Sequence, residues 1–209
     1  MSSVWEQANP GLLARLDPRL QGYFSEIPAG QVGRGSGIFE CVGSPRRWLW
    51  PVFLMLSWDR VIFPVWQQQV RFEVENRPWH DERGNTTIQA RRSFHFVAGT
   101  RVMVDAITAE QQTSEEIGLI DYLGSSGRLA ANLQAEAKDG ALSLSSTSVS
   151  FRLWRRSFTL PRAISPTVRI TEGIDESTGL QQISMELRQP QLGLLYQYRG
   201  KFSYRIVPD

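Results

Sequence analysis

From residue 66 to the end of the chain, stretch after stretch places an apolar residue at every second position, which is the spacing of strands with one buried face. In WQQQVRFEVE (66–75), Trp66, Val70, Phe72 and Val74 share a face, and Arg71, Glu73 and Glu75 share the other. TTIQARRSFHF (86–96) puts Ile88, Ala90, Arg92, Phe94 and Phe96 together. TRVMVDAIT, EEIGLIDYLG, PTVRITEGID and LQQISMELR continue the pattern, and LLYQYRGKFSYRIV sets Tyr196, Tyr198, Phe202, Tyr204 and Ile206 opposite Gln197, Arg199, Lys201, Ser203 and Arg205. About nine or ten strands are expected, joined by short turns into an antiparallel meander that curls or closes, barrel-like, around its apolar face.

Three places need further argument. RLAANLQAEAK (128–138) favours helix by propensity but alternates strictly, and the Asp139-Gly140 pair after it suits a tight hairpin, so a strand is expected. A phase change near Ser145 to Ser148 predicts a bulge. NRPWHDERGN (76–85), with Pro78, Gly84 and its charges, reads as a long exposed connection.

Before the strands lies WLWPVFLMLSW (48–58). Its uninterrupted apolar run, Trp48 to Leu56, is shorter than the roughly 20 residues a spanning helix needs. A helix over about 46–60 is expected, with Ser44 as cap, Pro51 in the first turn and its end before Pro64. A helix apolar nearly all round is covered on several sides. Filling the concave face of the sheet is its first reading; the wall of a ligand pocket and shallow membrane contact are the alternatives. The chain is expected to be a single domain over 1–209, with a helical lead-in at 1–28 and a β-rich body at 29–209.

Lys and Arg exceed Asp and Glu only by 23 to 21, so no global field gathers nucleic acid and any basic surface must be local. Cys41 is the single cysteine, which excludes an internal disulfide or a Cys-based metal cluster; no metal or other cofactor is expected. The beginning, MSSVWEQANPGLL, has no basic-then-apolar export signal, so the cytoplasm is the expected location and Asn85 of NTT stays unglycosylated. The Gly-rich GQVGRGSG (30–37) lacks the strand-to-helix setting of a nucleotide fingerprint.

In order along the chain, Gly33 and Gly35, Arg92 and Phe94 in ARRSF, Asp121 and Gly124 in DYLG, Leu160-Pro161, and Pro190, Gly193, Tyr198 and Gly200 in PQLGLLYQYRG resemble the bacterial family called domain of unknown function 4166. Ala90 stands where the family has an aromatic residue and Asp121 where it has Glu. The resemblance spans roughly residues 10 to 206 and implies no activity.

Arg92 is the leading candidate for chemistry, because alternation puts a permanent cation on the face of Ile88, Phe94 and Phe96, where it needs a partner. Asp121 shares its face with Ile117, Leu119 and Leu123, so a meeting of Arg92 and Asp121 inside the curved sheet is expected. Its readings are a structural ion pair, an anion-binding floor for a small amphipathic or lipid-like molecule, or catalysis. Phe94, Phe96, Trp50, Phe53, Trp58 and Tyr198 are the expected apolar walls of such a pocket. His80 and His95 read as surface residues without metal spacing, and no Gly-flanked nucleophile turn supports Cys41 chemistry. Arg199, Lys201 and Arg205 form a basic strip opposite the tyrosines, which suits a solvated face rather than a nucleic-acid platform. A non-catalytic binding domain is therefore expected. The alternatives are a solid-cored accessory or protein-interaction domain and an enzyme with an open cleft. The expected partner is a small amphipathic molecule, with no nucleic acid, no transmembrane segment, at most peripheral membrane contact, and no protein partner indicated.

Overall fold

The structure is a computed structural model that describes residues 2–81, 83–113, 116–153, 156–161 and 164–209. Its strands are β1 (Gln31–Gly43), β2 (Trp66–His80), β3 (Thr86–Phe96), β4 (Gly99–Gln111), β5 (Ile117–Leu123), β6 (Leu129–Lys138), β7 (Ala141–Leu153), β8 (Arg156–Thr159), β9 (Thr167–Ile174), β10 (Gln181–Gln189) and β11 (Gly193–Pro208). They follow one another in the sheet as β6-β5-β4-β3-β2-β1-β11-β10-β9-β7-β8, and a further β6–β7 pairing closes ten of them into an antiparallel barrel. Only β8 lies outside the ring, on the free edge of β7.

Residues 129–138 are a strand, because ladders to β5 on one side and β7 on the other outweigh the helix propensity of Ala, Leu and Glu. Asp139 (φ 52°) and Gly140 (φ 77°) make the left-handed two-residue turn that follows. The bulge falls at Thr147, since Asn132 pairs with Ser148 and Leu133 with Ser146. The expected long connection after Asn76 is corrected. The strand β2 runs on to His80, and Pro78 is tolerated there because pairing to β1 ends at Gly33–Asn76, before Pro78 is reached. The 30–37 glycines belong to β1, where a Cβ on Gly33 would fall on the Tyr204 hydroxyl.

Strand directions fix what lies at each barrel end. At one end are the start of β1, the β2–β3, β4–β5, β6–β7 and β9–β10 turns, and the N-terminal segment. That segment comprises α1 (Val4–Ala8), capped by the Ser3 side chain, a 3-10 turn (Leu13–Arg15), and α2 (Pro18–Phe24), capped by Asp17 with Pro18 in its first turn. It plugs this end with Val4, Trp5, Leu12, Leu16, Leu20 and Phe24, all buried against Ile107, Leu119, Leu133, Leu142 and Leu144.

At the other end the chain crosses from β1 to β2. The expected helix over 46–60 is shorter and in two parts, a 3-10 turn at Arg47–Leu49 and α3 at Trp50–Trp58. Ser44 does not cap it; its hydroxyl accepts from Arg46 N (3.1 Å) in the approach, and α3 has no side-chain cap. Leu49 and Phe53 seal a second core around Phe39, Phe63, Phe72, Phe94 and Phe202, with Phe53 edge-on to Tyr196 at 5.7 Å. The expectation that α3 is covered on several sides is corrected: the barrel mouth covers one side, and Trp48, Val52, Leu54, Met55 and Trp58 face outward, exposed. Trp66, expected inward, is also exposed, at the barrel rim.

Candidate binding site

Alternation along β3 turns Ala90, Arg92, Phe94 and Phe96 inward, so Arg92 enters the barrel where the two apolar cores meet. Its partners across the ladder are Val74 on β2 and Met103 on β4, and neither can take a charge. One diagonal step along β4 stands Asp105, buried, and the Arg92 guanidinium donates to its carboxylate. The expected Arg92–Asp121 contact is thus replaced by Arg92–Asp105, because β4 lies between β3 and β5. Asp121 sits a further diagonal step away, opposite Ile107, with Oδ1 buried and unpartnered. Burial and the charge of Asp105 push the Asp121 carboxyl well above the ordinary carboxylate range, against the pull of Arg92. Asp105 is also raised by burial, but the guanidinium beside it opposes the rise. Of the two aspartates, Asp121, which has no cation in contact among the described residues, is the one raised more strongly.

A third carboxyl arrives from β9. Glu172 is buried, takes a hydrogen bond from Gln181 Nε2 at 2.6 Å, and is pushed up to about 7 by desolvation, with Gln181 and Arg92 pulling the other way. Asn76 on β2 donates through Nδ2 to the Tyr204 hydroxyl at 3.3 Å, while its Oδ1 is buried without a partner. Arg92, Asp105, Glu172, Asn76 and Tyr198 all reach the wall of one cavity of about 40 Å3, completed by apolar groups such as Ile107, Leu144 and Ile183 and, from the N-terminal segment, Trp5, Tyr23 and Ile27. Since a water needs roughly 10–15 Å3 on this measure, the cavity has room for a few waters or a group of a few heavy atoms. The cavity reaches Arg92 and most of its wall is apolar, with Asp105, Glu172 and Asn76 as further polar groups.

Of the sequence candidates, Arg92 and Tyr198 line this cavity and Asp121 lies one step behind it. Phe94 and Phe96 pack among Phe39, Phe63 and Phe72 instead. Phe53 seals the α3 end, Trp50 is half-buried there with Arg47 over its ring at 5.8 Å, and Trp58 is on the outside, 80 % exposed. Asp105, Glu172 and Asn76 were missed. The first two carry the same signal as Arg92, a charge in phase with apolar neighbours: Met103 and Ile107 for Asp105, Ile170 and Ile174 for Glu172.

The thiol and imidazoles are engaged elsewhere. Cys41 Sγ accepts from Gln197 Nε2 at 3.6 Å and burial pushes its thiol up, away from the reactive thiolate. His95 lies between Thr100 Oγ1 (3.0 Å) and Glu73 (3.5 Å), and His80 is exposed. Among the described residues no group of three or more His, Cys, Asp or Glu is arranged to hold a metal ion. The strip on β11 is a solvated outer face, with Arg199 on Glu40 at 2.8 Å and Lys201 on Asp175.

The domain-of-unknown-function family DUF4166 matches residues 16–202, nearly the whole barrel. The chain belongs to the DUF4166 family. A relative is the Bacillus subtilis (strain 168) uncharacterized protein YndH, 26 % identical over 206 residues, which are 97 % of each chain. Among solved structures, a DUF1329 family protein from Desulfovibrio piger is matched over 100 % of this chain and 94 % of its own, at 8 % identity and a TM-score of 0.28. In this DUF4166 barrel, Arg92 and Tyr198, which helped carry the resemblance, meet at the cavity, while Gly200 leaves room for Phe39 to cross β11.

Proposed function

We propose that this DUF4166 domain works by binding rather than by catalysis, and that what it binds is a small polar molecule, or the polar head of one, beside Arg92. The observation that supports this most is the convergence of one guanidinium, two carboxyls and an unpartnered amide oxygen on a cavity at the barrel's centre. Burying such groups costs stability that apolar side chains of similar volume would not, and perturbed ionisable groups around a cavity are the usual mark of a site. Two carboxyls and an amide oxygen around one guanidinium leave acceptors in surplus, so a donor, such as an amine or amide, suits the cavity better than the anion Arg92 alone would attract. At about 40 Å3 the space fits that head and not an acyl chain.

Native mass spectrometry of the chain, purified without denaturation and incubated with a small-molecule extract, tests this. The reading expects one retained adduct, lost in Glu172→Gln. A bare chain in every extract, with Glu172→Gln as stable as the parent, contradicts it. That result would favour the second reading, a solid-cored accessory domain, which the direct Arg92–Asp105 pair supports.

A further inference from the structure

The four described connections at the α3 end, residues 43–66, 96–101, 123–129 and 189–194, contain five arginines (Arg46, Arg47, Arg60, Arg101 and Arg128) and a single acid, Asp59. Asp59 is half-buried, its two oxygens accepting from Ser126 N (2.8 Å) and Ser126 Oγ (2.5 Å). Arg47, Arg60, Arg101 and Arg128 are exposed. Between them stand Trp48 of the 3-10 turn, the uncovered face of α3 with Val52, Leu54, Met55 and Trp58, and the tip of the β3–β4 turn, Val97, at 94 % exposure. Trp58 and Val97 at such exposures protrude rather than lie flush.

We propose that this end of the barrel docks on an anionic lipid surface, with α3 lying in the plane of the interface. Tryptophan prefers the boundary between headgroups and acyl chains, and an apolar helix face rimmed by arginine is held there by burial and by charge together. Anionic headgroups complement a rim with five arginines against one acid in these connections. Protruding side chains also suit a fluid bilayer, which needs no preformed pocket to receive them, whereas a protein partner would have to match each one. Charge on the opposite end favours the same orientation: the turns there carry Asp81, Glu116, Asp139, Asp175 and Glu176 against Arg83 among the described residues, and although Asp175 pairs with Lys201 and Glu176 with Arg19, that end is the less basic of the two. This surface is separate from the interior cavity and does not depend on a ligand there.

Vesicle flotation of the whole chain tests the proposal, comparing phosphatidylcholine alone with equal parts phosphatidylcholine and phosphatidylglycerol. The chain is expected to float with the anionic vesicles only, to be released by salt, and to show a blue-shifted tryptophan emission when bound. Trp58→Asp with Val97→Asp, both at exposed positions, should abolish flotation while leaving the circular dichroism and melting curve unchanged. Arg101→Glu with Arg128→Glu should weaken it by about tenfold or more. Failure to float, equal flotation on neutral vesicles, or undiminished flotation of the variants overturns the proposal. So does a dimer, seen by sedimentation velocity and abolished by Trp58→Asp, that does not float, since a second copy would then be what covers this face.

Discussion

The two ends of the barrel use the same residue types to opposite effect. At the N-terminal end Trp5 is 6 % exposed, enclosed with Phe24 by ring contact at 5.3 Å, and the turns outside it are acidic. At the α3 end Trp58 is 80 % exposed and the connections around it are basic. One end closes a core; the other presents an apolar surface. The difference teaches that apolarity in a sequence reports what avoids water, while the topology decides whether this chain supplies the cover. It also shows how a net charge of +2 conceals a molecule with one basic and one acidic pole.

The sharpest stability contrast is at Trp5, where Trp5→Ala removes a large buried side chain and should cost about 3–5 kcal/mol in urea unfolding. Arg92→Met should cost a similar amount, about 3–5 kcal/mol, because it strands buried Asp105 without a partner; adding Asp105→Leu should recover much of the loss. If Arg92→Met alone is neutral, the polar layer between the two cores is not what the geometry implies.

Glu172 gives a pH signature. Its carboxyl is raised from the ordinary 4.5 to about 7, so the folded chain keeps a proton that the unfolded chain has released. The contribution of this group to stability is therefore full below pH 4.5, falls as pH rises from 4.5 to 7, and is level above. The fall is on the order of 3 kcal/mol, and Glu172→Gln should flatten it in unfolding curves taken across that range. The smallest effect belongs to the other end: Trp58→Ala should change stability by no more than about 0.5 kcal/mol, since that side chain is 80 % exposed. A large loss there would erase the contrast.

Much of this was legible in the sequence. Period two found the strands, the Asp139-Gly140 hairpin, the bulge and the inward direction of Arg92, because each is local. The partner of Arg92 was not, since choosing between Asp105 and Asp121 requires knowing which strand is adjacent, and Asp105 went unremarked although it alternates in phase with Met103 and Ile107. Cavity size depends on how two cores meet and leaves no trace in spacing. Exposure of α3 was illegible for a different reason: an apolar-all-round helix reads as interior unless the barrel mouth is seen to cover one side only.

The most direct measurement is 19F NMR of the chain labelled with 5-fluorotryptophan and bound to anionic vesicles carrying a paramagnetic lipid, with resonances assigned by single Trp→Phe variants. The account predicts strong broadening of Trp48 and Trp58 and an unchanged Trp5 signal. Broadening of Trp5, or none at Trp48 and Trp58, would contradict it.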